Sequence, residues 1–105
     1  PLWLAPVQVK LIPITDRNLE YVKGIKDKLE EKGIRCEIDD RSEKMGYKIR
    51  EAQLEKVPYM LIAGDRDMEG NVVSVRARKD GENLGAMSVD EFIEKALNEI
   101  NTKAL

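Results

Sequence analysis

The spacing of apolar residues predicts an α/β domain that starts as parallel β-α-β units and closes on an antiparallel hairpin. Three observations carry that prediction. Leu19, Val22, Ile25 and Leu29 recur at helical spacing. Ile34, Cys36 and Ile38 then alternate with Arg35 and Glu37, as in a strand with one buried face. Val57-Pro58-Tyr59-Met60-Leu61-Ile62-Ala63 is continuously apolar, the pattern of a central strand covered on both sides.

The elements follow in order. Val7 to Ile14 is rich in β-formers, with Val7, Val9 and Leu11 assigned to one face and Pro13 marking its end. Thr15 or Asp16 is placed to cap the first helix, and Gly33 to stop it. After the strand at 34–38, a charged run leads into a second helix that extends to about Lys56. The apolar strand at 59–63 is next, and Glu69-Gly70-Asn71 reads as a turn. Val72 to Arg78 alternates like a strand, and Asp80-Gly81 turns the chain again before a further short strand. Ser88-Val89-Asp90-Glu91 has capping-box spacing, with Met87 and Phe92 placed as a hydrophobic staple. The last helix turns Val89, Phe92, Ile93, Ala96, Leu97 and Ile100 inward. The expected spatial order is 2-1-3 for the three parallel strands, with the 72–78 strand antiparallel beside the third.

Composition narrows the function. A chain of 105 residues fits one domain with a real core. It is 42% hydrophobic and 36% charged, so its surface is strongly ionic. Eighteen basic and 20 acidic residues leave a net charge of −2, so any basic binding site must be local. One cysteine cannot form an internal disulfide, which suits a reducing compartment, and with no histidine a His/Cys zinc site is excluded. No apolar run approaches the roughly 18 residues of a membrane span. The opening Pro1-Leu2-Trp3-Leu4-Ala5-Pro6 reads like a piece of a longer protein.

The segment from Asp39 to Glu51 concentrates mixed charges after a strand, at the sheet edge where open α/β folds bind ligands. Lys44 and Lys48 are four apart and are expected to share a helix face, and Gly46 lets a ligand backbone approach. Arg76 and Arg78 share one side of their strand, opposite Val75. The same charges also fit a solvated loop and a solubilised sheet edge. Cys36 reads as a small buried hydrophobe, and the four methionines as gap-fillers. Trp3 suits packing better than stacking. Asp65 follows a central strand, but the acidic pair Asp39-Asp40 follows the second strand and not the first, which argues against a magnesium-binding phospho-acceptor site. The turn after the first strand lacks a glycine-rich phosphate cradle.

Leu4-Ala5-Pro6-Val7-Gln8-Val9, the stretch Asp40 to Glu51, Val57-Pro58-Tyr59-Met60-Leu61 with Gly64-Asp65, and Val75-Arg76-Ala77-Arg78 followed by Leu84-Gly85 are all informative together. In that order and spacing, they resemble the C-terminal anticodon-binding domain of class II threonyl-tRNA synthetases. The resemblance covers essentially the whole chain. It implies a three-layer α/β/α domain with a mixed, roughly five-stranded sheet and helices on both faces. It also implies a single non-catalytic domain over residues 1–105 that docks on the anticodon loop of threonine tRNA in the cytoplasm. Aminoacylation, with its ATP, magnesium and zinc, belongs to an absent catalytic domain of the same polypeptide, and the parent is expected to be a homodimer. No cofactor and no membrane are expected for this chain.

The family's contact positions carry over one at a time. Ser42 stands where the family commonly has asparagine, and Lys44 matches a basic residue. Lys56 replaces a frequent arginine, Asp67 a frequent glutamate, and Arg76 matches outright. Threonine anticodons end in guanine then uracil. Asp67 is suited to accept guanine's N–H donors while Arg76 donates to its acceptors, on a splayed loop base. Lys44, Lys48 and Lys56 are assigned to phosphates, and Tyr47 to stacking or core packing. Two other readings are a paralogous interaction domain, of the accessory-subunit type, without anticodon readout, and a free-standing nucleotide-binding α/β enzyme.

Overall fold

The computed structural model describes residues 5–41, 44–77 and 83–102. Trp3, Ser42, Arg78 and the Asp80-Gly81 turn lie outside the described residues. The described elements are strand β1 (Val9–Pro13), a 3₁₀ turn (Asp16–Asn18), helix α1 (Leu19–Glu31), β2 (Cys36–Ile38) and α2 (Met45–Leu54). They continue with β3 (Tyr59–Ala63), α3 (Asp65–Gly70), β4 (Val72–Ala77), β5 (Asn83–Ser88) and α4 (Val89–Thr102).

The strands form one sheet in the order β2-β1-β3-β4-β5. β1 pairs in parallel with β2 and β3, and β4 pairs antiparallel with both β3 and β5. The predicted 2-1-3 core with an antiparallel fourth strand is what forms, and the mixed five-stranded sheet has helices on both faces.

Side-chain alternation splits the core in two. One face buries Val9, Leu11, Leu61, Val73 and Val75 against Val22, Ile25 and Leu29 of α1 and Phe92, Ile93 and Ala96 of α4. Phe92 meets the Tyr59 ring edge-on at 5.4 Å. The opposite face buries Ile12, Met60 and Ile62 with Ala52 of α2, and Met45 and Ile49 pack against them. Every residue of β1 and β3 is buried, which explains why β3 reads as uninterrupted apolar sequence.

Several details depart from the sequence reading. The N-cap of α1 is Asn18 and not Thr15 or Asp16, because a 3₁₀ turn capped by Thr15 comes first. Val7 packs with Ile12 on the α2 side and not with Val9, because the chain bends at 6–7 before β1 begins. The second helix stops at Leu54, short of Lys56. Residues 65–70 form the short helix α3 where a turn was expected at 69–71.

Candidate nucleic-acid interface

Helix α2 covers β1 and β3 only. No residue of β4 or β5 joins its cluster among the described residues, so the sheet beyond it forms an open shelf. The register sets the shelf's side chains. Met60 of β3 points under α2, so its β4 partner Arg76 faces the same way, and Ile62 likewise places Ser74 there. Ser74 and Arg76 are half-buried, and Ala86 of β5, paired with Ser74, is exposed.

Asp67 reaches this shelf from α3. Its Oδ2 accepts the Gly64 N–H at 2.9 Å, closing the start of the helix, and its Oδ1 accepts the Ser74 hydroxyl at 3.2 Å. Arg76 follows two residues along the same face, about 7 Å further at strand rise. The structure therefore brings Asp67 and Arg76 to one surface. The Arg76 guanidinium has no hydrogen bond or ion pair to the described residues. A carboxylate offers about four lone-pair sites, so Asp67 retains capacity after these two bonds.

The lysines separate. Lys44 precedes α2 as its exposed N-cap, and Lys56 lies exposed just past its other end, with about 15 Å of helix between them. Lys48 is buried, at 5% exposure, and its Nζ donates to the Asp39 carbonyl at 3.2 Å. It forms part of a groove of about 270 Å³ with Pro13, Ile14, Thr15, Asp16, Leu19, Asp40 and Arg41. Ser42 lies outside the described residues.

Lys56 has an unusual backbone. Its φ is +63°, in the left-handed region. The Lys56 N–H reaches the Gln53 carbonyl at 3.1 Å and the Val57 N–H reaches that of Ala52 at 3.1 Å, the bond pair of a Schellman cap. The end of α1 makes the same pair through Gly33 and Ile34, with Gly33 at φ +80°. Two helices thus end alike, one on glycine and one on lysine.

An ion-pair clamp around Arg41 escaped the sequence reading. Its Nε and Nη2 bond both Asp39 oxygens at 2.9 and 2.8 Å, and Nη2 also reaches Glu51 at 3.0 Å. Buried Asp39 would be costly alone, and this fork satisfies it. Hydrogen bonding to Arg41 lowers the Asp39 carboxyl below its ordinary range despite burial. Hydrogen bonds from Tyr47 and then Arg41 lower that of Glu51. The Arg41 guanidinium sits 5.8 Å from the Tyr47 ring centroid, and the ring is 49% exposed, so Tyr47 is not a core residue. The clamp's partners lie up to ten residues apart on different elements, so no local spacing could reveal it.

Asp65 is a structural tie. It accepts from Arg17 at 2.8 Å and from Asn18 at 2.9 Å, fastening the turn after β1 to the start of α3. Burial pushes the Cys36 thiol up to about 11, and so it is unreactive near neutrality.

The anticodon binding domain family profile matches residues 8–99. The chain belongs to this family. Two relatives by sequence are threonine–tRNA ligases. That of Caldanaerobacter subterraneus subsp. tengcongensis is 60% identical over the whole chain, and that of Clostridium botulinum 62% identical over 98% of it. The chain spans 16% of the length of each. The RNA binding domain of threonyl-tRNA synthetase from Cryptosporidium parvum superposes with a TM-score of 0.87 at 28% identity, covering 93% of this chain and 24% of that one. Prolyl-tRNA synthetase of the same organism gives 0.86 at 28% identity, covering 97% and 22%. This anticodon binding domain is thus homologous to part of threonine–tRNA ligase, consistent with tRNA anticodon recognition. No helix among its described residues is long and apolar enough to cross a membrane.

Proposed function

We propose that the chain is the C-terminal anticodon-reading domain of a threonine–tRNA ligase and binds the anticodon loop of threonine tRNA on the shelf of β4 and β5. One observation carries this: an acceptor, Asp67, and a donor-only side chain, Arg76, stand on one open sheet face joined through Ser74. That pair matches the donor and acceptor groups of a splayed guanine. Lys44 and Lys56 supply phosphate neutralisation at the two ends of α2, and Ser42 belongs to the RNA-binding set by family resemblance alone. Lys48 acts mainly from beneath, holding the strand end at Asp39. In this reading the chain is not catalytic by itself. ATP, magnesium and zinc serve the catalytic domain of the same cytoplasmic, homodimeric polypeptide.

The test compares threonine anticodon stem-loops carrying guanine or adenine at the middle position. Arg76→Ala is expected to weaken guanine binding by roughly 1–3 kcal/mol and flatten the preference. An unchanged ratio between the two bases refutes the readout. Arg76 is a better probe than Asp67, because removing the Asp67 carboxylate also uncaps α3.

A further inference from the structure

The pairing of β4 with β5 is interrupted beside Arg76. Val72, Val73, Ser74 and Val75 face Ser88, Met87, Ala86 and Gly85 in turn, and then Arg76 faces Asn83, leaving Leu84 as an extra residue. In an unbroken ladder Leu84 would sit opposite Arg76 and point to the same side, because paired residues share a face. The observed Leu84 instead packs against the cluster beneath α1 and α4, on the other side of the sheet. Gly85 makes this possible. Its φ is +85°, the left-handed conformation that a bulge of this kind requires and that glycine adopts without cost.

We infer that the Gly85 bulge is a positioning device for base readout: it removes Leu84 from the RNA face and fixes the β4 backbone at Arg76. Gly85 itself touches no base. The inference rests on the anticodon reading of Arg76 given above. A Cβ built at Gly85 meets nothing within 4 Å, so a substitution there acts through backbone conformation and not through a clash. Asparagine tolerates the left-handed region, alanine less so, and valine least.

The experiment measures the affinity of the 105-residue chain for the guanine and adenine stem-loops in Gly85→Val, Gly85→Ala and Gly85→Asn, each with and without Arg76→Ala. Gly85→Val is expected to reduce the guanine preference to the level of Arg76→Ala, a loss of about 5–150-fold. Arg76→Ala should then add little to it, and Gly85→Asn should keep the wild-type ratio. If Gly85→Val does not fold by circular dichroism, Gly85→Ala is read in the same way. A wild-type ratio in Gly85→Val or Gly85→Ala, with the ratio lost in Arg76→Ala, overturns the inference. So does an equal loss for both loops, which marks a purely structural glycine. If Arg76→Ala itself leaves the ratio unchanged, the reading of the site fails, and the role of Gly85 falls with it.

Discussion

Replacing Lys56 by glycine should stabilise the fold while weakening RNA binding. The end of α2 holds Lys56 at φ +63°, where a residue with a Cβ costs about 1–2 kcal/mol. Glycine removes that cost but loosens the unfolded chain by about 0.4–1 kcal/mol, leaving a net gain centred on about 0.8 kcal/mol. For a domain of this size that raises Tm by about 2–8 °C. Lys56→Ala removes the same charge and keeps the strained Cβ, so it should show no such gain. Gly33→Ala, in the matching cap of α1, should lower stability by about 1 kcal/mol. Urea melts of the three variants supply the stabilities, and stem-loop titration supplies the affinities. Both Lys56 variants should lose affinity alike for guanine and adenine loops, as expected for a phosphate contact. Equal stabilities for Lys56→Gly and Lys56→Ala would refute the strain argument. A preserved affinity in both would remove Lys56 from the interface.

Two further predictions rest on the same geometry. With Lys48 buried, the proposed reading leaves Lys44 and Lys56 as its phosphate-contacting lysines, so log affinity should fall against log salt with a slope of about −1.4, and not the −2 expected for three contacts; titration across salt concentrations distinguishes a slope several times steeper, which would indicate a diffuse electrostatic patch. The Arg41 clamp should govern acid stability: Asp39 and Glu51 titrate below their ordinary values, so their contribution is full above about pH 5 and is lost as pH falls through the depressed values. Arg41→Gln should therefore be less stable than wild type near neutrality and converge on it in acid, and a constant gap in urea midpoints across that range would refute the clamp.

The sheet was legible because its signals are local. Alternation at 34–38 and the continuous apolar run at 57–63 arise from burial, and burial acts on each strand's own sequence. Helix α3 carries no buried residue, so it has no apolar period to read. Lys44 and Lys48 show a different failure. Four-residue spacing places side chains on one face only when both residues are helical, and Lys44 is extended at φ −64° and ψ 144°. It is therefore free of the helical face that carries Lys48 inward. The polar residues resist local reading because their partners lie far away in the sequence. Asp67 depends on Ser74 and Gly64, Arg41 on Asp39 and Glu51, and the facing of Arg76 on its register with Met60. Strand alternation marks Arg76 as one of a pair of arginines on a sheet face, but its pairing with Asp67 comes only from family resemblance, because the spacing of 67 and 76 says nothing until α3 and β4 have folded back onto β3. The bulge at Gly85 was harder still: the sequence shows Leu84-Gly85 plainly, but which face Leu84 takes is decided by one backbone torsion and the strand beside it. A specificity site made this way requires the fold to be complete before its residues meet, so substitutions that leave the core intact but shift register should abolish base preference first and stability later.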